Sequence, residues 1–304
     1  MKNRAATKAI TKKREEVARR KDEIAFKTAL ILSIPSVKAA HEKYVNTAFK
    51  NALGGFEQEE KKAYDEYLSA LKAEGYDESD MRYTPVCPIC GDTGSAYGKL
   101  CSCVKREYIA ALKDVCEIEK RAPFTFADAD FGHIQDSAQR ENLEKLYAYF
   151  KAYSAKLPRV NAKTTLLFGS AGTGKTSLAQ AVARETVERG KSVKYVSAYE
   201  FNTAMLTAHT SPLSERKARL HDVMTADLVV IDDLGTEPIL KNVTIEYFLL
   251  VLEERTNKGL CTLITTNLSP ARILDRYGER IYSRLASKQS SRIFEIGGSD
   301  LRLN

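Results

Sequence analysis

The octapeptide from Gly169 to Thr176, Gly-Ser-Ala-Gly-Thr-Gly-Lys-Thr, has the composition of a phosphate cradle. Glycines at 169, 172 and 174 let the backbone curl until successive amide N–H groups face one point, and a following helix N-terminus adds a dipole that favours anions. Lys175 brings a mobile positive charge, and the hydroxyl of Thr176 is of the kind that ligates Mg²⁺ beside a nucleoside triphosphate. Thr173 and Ser177 complete the run. Further on, the apolar stretch 228–231 ends in Asp232 and Asp233. Acids at the end of a buried parallel strand lie on the ligand edge of the sheet. There Asp232 is suited to hold the Mg²⁺ shell and Asp233 to polarise an attacking water. A third apolar stretch, 260–266, ends at Asn267.

A second chemistry is carried by sulfur. Cys87, Cys90, Cys101 and Cys103 have the spacing C-x2-C-x10-C-x-C, two tight thiol pairs with glycines at 91, 94 and 98 to fold one onto the other. Four thiolates suit a tetrahedral structural Zn²⁺, and an iron–sulfur cluster is the alternative for the same donors. Cys116 and Cys261 stand apart and have the character of small buried apolar residues. Near the C-terminus Arg280 and Arg284 are four apart on a helical segment, the spacing of one face, and one of them is suited to act as an arginine finger. Such a finger would work in trans, completing the site of a neighbour in a head-to-tail oligomer.

The elements needed to position these groups can be traced in the pattern. TTLLF at 164–168 and the helical SLAQAVARETVERG flank the cradle in the order strand, loop, helix that the motif requires. Helices alternate with strands from about 137 to the end, which predicts an α/β fold with a parallel sheet flanked by helices. The first 82 residues predict a small helical domain, with helices over about 9–34, 35–53 and 57–74. Pro35 opens the second of these, and Val37, Ala40, Tyr44 and Ala48 form its buried stripe. Residues 83–104 form the cysteine module, 105–136 are expected to be a linker, and 137–304 the nucleotide-binding domain.

With 304 residues, 43% hydrophobic and 29% charged, the chain has the composition of a soluble protein of two to three units. Its N-terminus lacks an apolar export segment, no run is long enough for a membrane span, and cytoplasmic residence is the expectation. A net charge of +7 is compatible with a polyanionic partner but modest for this length.

Taken with CPICGDTG and CSC, the motifs FGSAGTGKTS, VVIDDLGTEP, ITTNLSP and GERIYSRL resemble the DnaC/DnaI helicase loaders, P-loop AAA+ ATPases that place the hexameric replicative helicase on DNA. The resemblance extends over nearly the whole chain. It implies ATP, Mg²⁺ and Zn²⁺ as cofactors, and as partners a replicative helicase held by residues 1–82, single-stranded DNA, and further copies of the chain assembled on ATP binding. It further implies that Asn267 is the sensor that orients water or touches the γ-phosphate, that Arg284 is the finger with Arg280 beside it, and that Arg302 makes a late contact. The helical insertion at about 200–225 corresponds to the region that grips single-stranded DNA, with Arg216, Lys217 and Arg219 as phosphate contacts. Two other assignments fit the same residues: an IstB-like helper ATPase that delivers a transposase, and a nucleotide-binding adaptor without productive turnover.

Overall fold

The computed structural model describes residues 1–301 and divides into two compact units, Ala9–Glu107 and Met1–Lys8 together with the chain from Tyr108 onward. Three helices come first, α1 (Lys2–Ser33), α2 (Pro35–Ala52) and α3 (Glu57–Ala73). No glycine or proline interrupts residues 2–32, so α1 begins seven residues before the expected start at 9. Ile31, Val37, Tyr67 and Leu71 bury a small core, with Ala40, Tyr44, Tyr64 and Leu68 packed against it, and this uses Val37, Ala40 and Tyr44 of the predicted stripe but not Ala48. The cysteine module follows as a two-residue antiparallel hairpin, β1 (Ser95–Ala96) and β2 (Lys99–Leu100), leading into α4 (Ser102–Val115).

The other unit contains α5 (Ile118–Arg121), α6 (Ser137–Lys156), β3 (Thr164–Phe168), α7 (Lys175–Glu188), β4 (Val193–Ser197), α8 (Ala198–Thr210), α9 (Leu213–Thr225), β5 (Leu228–Leu234), α10 (Thr244–Asn257), β6 (Cys261–Thr266), α11 (Pro270–Tyr277), α12 (Glu279–Leu285) and β7 (Ser291–Glu295). Its five strands form one parallel sheet in the order β4-β5-β6-β3-β7. Every residue of β6, and every residue of β5 except Asp233, is buried, as expected of central strands covered on both faces. Because β6 lies between β3 and β5, the residue just past its end emerges between the cradle and the two acids.

Residues 105–136 are not a linker. Leu112, Cys116, Ile118, Ala122 and Ile134 are buried in the same hydrophobic core as the sheet. The segment escapes a periodicity reading because its one regular element between α4 and α6 has only four residues, too few to show a repeat. Cys116 and Cys261 are both buried, and burial raises both thiols above their ordinary range. Among the described residues no helix is long and apolar enough to cross a membrane.

Candidate nucleotide site and metal centre

The cradle leaves β3 at Gly169 and closes on α7, whose first residue is Lys175. The Lys175 ammonium donates to the Gly169 carbonyl at 2.9 Å and to that of Ser170, and Thr173 Oγ1 donates to Ser170 O at 3.0 Å. Two glycines are demanded by close approach as well as by curvature. A Cβ on Gly169 would run into the Ile296 carbonyl, and one on Gly172, whose φ is +74°, would run into the Asp300 carboxylate. The segment after β7 therefore lies along the loop, tied by Leu301 N–H donating to Gly172 O at 3.0 Å and by Gln139 Nε2 donating to Ser299 O at 3.1 Å.

The acids sit one strand away. Asp232 is buried and accepts three hydroxyls, from Thr265 at 2.5 Å and Thr176 at 3.2 Å on Oδ1 and from Tyr195 at 2.9 Å on Oδ2. Burial, together with the adjacent Asp232 charge, pushes the Tyr195 phenol far above its ordinary range, so it stays a donor. Asp233 occupies a bulge in the pairing of β5 with β6, at φ +57°, a left-handed conformation that a non-glycine residue adopts at a cost. Its amide donates to Thr265 Oγ1 at 2.8 Å.

Gly172, Thr173, Gly174, Lys175, Thr176, Ser177, Asp233 and Asn267 line one cavity of about 430 Å³. The same cavity has an apolar half made by Phe124, Phe131, Ile134, Leu143 and Tyr147, with Phe131 edge-on to Tyr147 at 5.0 Å between ring centroids. A phosphate half beside an aromatic half is the shape of a nucleotide. Three of these side chains come from 124–134, within the expected linker, and Thr265 and Tyr195 are also functional positions that motif reading passed over. The FTFADADF stretch, aromatic residues without a strand or helix period, was the available signal. For a hard cation the donors fit: the Thr176 and Asp232 oxygens, 3.2 Å apart, are close to the roughly 3 Å edge of an octahedron with bonds of about 2.1 Å.

The sulfurs converge as well. Cys87 and Cys101 Sγ are 3.6 Å apart, as are Cys90 and Cys103, and all four lie within 4.8 Å of one another with no disulfide formed. A tetrahedron of bonds near 2.3 Å has edges of about 3.8 Å, so four thiolates around one Zn²⁺ fit this spacing. The Cys103 backbone and neighbouring thiols bring Cys101 down to about 6, while burial and the same neighbours push Cys103 up to about 12. Crowded thiols resist shared ionisation, and a divalent cation at their centre removes that conflict. Asp92 fastens the knuckle, accepting from Tyr83 Oη at 2.5 Å, Val86 N at 2.8 Å, Cys87 N at 3.0 Å and Lys13 Nζ at 3.1 Å. Burial alone would raise its carboxyl, but these four donors hold it well below the usual range.

Other expected residues lie elsewhere. Arg280 is exposed on α12, and Arg284 pairs with Glu253 on α10 at 2.8 Å; neither lines the cavity. On α9, Arg219 pairs with Glu215 at 2.9 Å. The guanidinium of Arg216 donates to His209 O at 2.7 Å and Ser211 O at 3.1 Å, satisfying carbonyls at the end of α8. Lys217 alone of the three has no hydrogen-bond or ion-pair partner among the described residues. Arg302 lies outside the described residues.

The sequence model of the IstB-like ATP binding protein family matches residues 120–286, which takes in the cavity's aromatic segment, the cradle and both acids. Over 154 residues the chain is 27% identical to the replicative helicase loader DnaC of Escherichia coli (strain K12), covering 50% of this chain and 60% of that protein. It is 27% identical over 165 residues to the replicative helicase loader DnaI of Bacillus subtilis (strain 168), covering 54% of this chain and 50% of that one. The chain thus spans a little over half the length of the curated relatives it matches. A solved structure, "Crystal Structure of the DnaI", aligns over 60% of this chain and 92% of its own at 22% identity and a TM-score of 0.45.

Proposed function

From the premise that the chain belongs to the family of IstB-like ATP binding proteins, we propose that it is an ATPase that loads a hexameric replicative DNA helicase onto single-stranded DNA. What supports the ATPase half is the meeting of Lys175, Thr176, Asp233 and Asn267 in one cavity, with Asp232 bonded to Thr176 at its edge. Cradle amides and Lys175 hold the phosphates, and Phe124, Phe131 and Tyr147 receive the base. Thr176 and Asp232 would hold Mg²⁺, which when bound supplies charge neutralisation at the phosphate oxygens. Asp233 orients and polarises water toward the γ-phosphate, and Asn267 fixes the water or that phosphate in line. Arg284 of a neighbouring copy, released from Glu253, supplies positive charge to the transition state.

The loading half draws on relatives that are named replicative helicase loaders. It also draws on the first helices, where Phe26 of α1, Phe49 of α2 and Leu53 just past its end are 68%, 70% and 79% exposed. Large apolar side chains left this exposed suit a protein partner. The test is co-elution of the full chain with its host's replicative helicase, with ATP and without nucleotide. A joint peak supports the reading. Separation in both conditions, with co-elution of a transposase instead, replaces it with the transposition-helper assignment.

For the DNA contact, Lys217 is the residue with a free charge. Replacing it by Ala is expected to weaken single-stranded DNA binding uniformly across sequences and to lower the slope of log affinity against log salt by about 1. An unchanged slope removes Lys217 from the interface, whereas an Arg216→Ala variant is expected to show lost helix stability as well.

A further inference from the structure

Thr265, next to last in β6, bonds to both acids of β5. The directions of these bonds are forced. An ionised carboxylate can only accept, so the Thr265 hydroxyl must give its one proton to Asp232 Oδ1, at 2.5 Å. A backbone N–H can only donate, so the same oxygen accepts the amide of Asp233, at 2.8 Å. One fully buried hydroxyl thus links the side chain of one acid to the main chain of the next.

The place where this occurs gives it consequence. Asp233 is held at φ +57° inside a bulge, a conformation that needs outside support. In regular pairing its amide would find a carbonyl of β6; here it finds a side chain, so the Thr265 oxygen stands in for the missing ladder bond. That bond fixes the Asp233 backbone, and with it the direction in which its carboxylate enters the cavity it lines. Asp232 meanwhile is restrained from three sides by Thr265, Thr176 and Tyr195, so a shift of its Oδ1 is felt first by hydroxyls and not by the sheet.

We propose that Thr265 is a positioning residue that couples the two acids, so that engagement of Asp232 with a divalent cation sets the orientation of Asp233. The proposal rests on the ATPase reading of this site and assigns Thr265 no contact with substrate. Its oxygen both donates and accepts, and pull on the donated proton strengthens its acceptance of the Asp233 amide, the polarisation expected in linked hydrogen bonds.

The test compares Thr265→Val, which keeps shape and β-branching but deletes both bonds, with Thr265→Ser, which keeps the hydroxyl. Turnover, binding of a non-hydrolysable ATP analogue, and the Mg²⁺ concentration that half-saturates that binding are measured on the full chain. The expected result for Thr265→Val is a tenfold to hundredfold loss of kcat, the scale of a misplacement of about 1 Å, with analogue affinity at saturating Mg²⁺ within threefold. The half-saturating Mg²⁺ rises severalfold, and Thr265→Ser recovers all three values to within threefold. Valine with normal kcat, or serine as damaged as valine, overturns the proposal.

Should Thr265→Val fail to fold, the wild-type protein labelled with ¹⁵N answers the question. The Asp233 amide resonance moves when Mg²⁺ is added to the analogue complex if the coupling is real, and its constancy overturns it. A wild-type protein that binds the analogue but turns over no ATP would overturn the ATPase reading, and the amide response to Mg²⁺ would still decide the coupling.

Discussion

Replacing Lys175 by Ala is expected to abolish ATP binding at micromolar nucleotide, weakening it by about 10²-fold or more, and to remove measurable turnover. The ammonium already donates to two cradle carbonyls, and phosphate oxygens are stronger acceptors for the same donor. Charge-assisted bonds contribute about 1.5–3 kcal/mol each, and a triphosphate offers Lys175 more than one. Arg284→Ala provides the contrast. Its side chain pairs with Glu253 away from the cavity, so ATP binding is expected to stay within threefold while turnover falls by about 10²-fold or more, arginine fingers being worth about 10³–10⁵. Equal loss of binding and turnover in Arg284→Ala would argue against action in trans, and intact ATPase activity in Lys175→Ala would remove the site assignment. Phosphate release and equilibrium nucleotide binding, measured side by side, decide both.

The second large effect is expected at the cysteines. Purified protein should contain about one zinc per chain, and Cys90→Ser should reduce this below about 0.1. The span 83–103 has little apolar core of its own: its buried cluster is Cys87, Cys90 and Cys101, with Ala96 and Cys103 beside it. Metal binding is then most of its folding free energy, of order 10–16 kcal/mol for such peptides. Limited proteolysis should accordingly cut Cys90→Ser within 83–103 at least tenfold faster than wild type. The core around Ile31, Val37, Tyr67 and Leu71 is separate, so the helical signal should change little. ATP binding should be unaffected. Metal-free wild-type protein with an ordered module would refute the assignment, and iron with visible absorbance would replace zinc by a cluster.

Both predictions concern chemistry that the sequence displays openly, and the reason is locality. The cradle is contiguous and the thiols lie in two short pairs, so residue type and spacing carry nearly all the information. The stripe of α2 was legible for a similar reason, since one helix face repeats every three to four residues. Other parts depend on partners far away in the chain. Thr265 is an ordinary β-branched residue in a buried strand until the bulge in β5 brings the Asp233 amide to it. Tyr195 resembles any core aromatic until its hydroxyl is found on Asp232, 37 positions later. Residues 124–134 have no repeat, and their role in the cavity arises from α6 and the cradle packing around them. Arg216 shows a second dependence of this kind: its bonds to the helix-end carbonyls of His209 and Ser211 are invisible in the spacing of its charge.

The segment that runs along the cradle changes how glycine variants here would be interpreted. Gly169 faces the Ile296 carbonyl and Gly172 the Asp300 carboxylate, so each serves two masters, the phosphate and the chain's own tail. A saturation screen scored by cell growth would mark both as intolerant even in a background that had lost all need for ATP. Lys175→Ala only removes atoms and sets no new group against the tail, so it is the cleaner knock-out, and inactive alleles built at the glycines would confuse misfolding with loss of nucleotide.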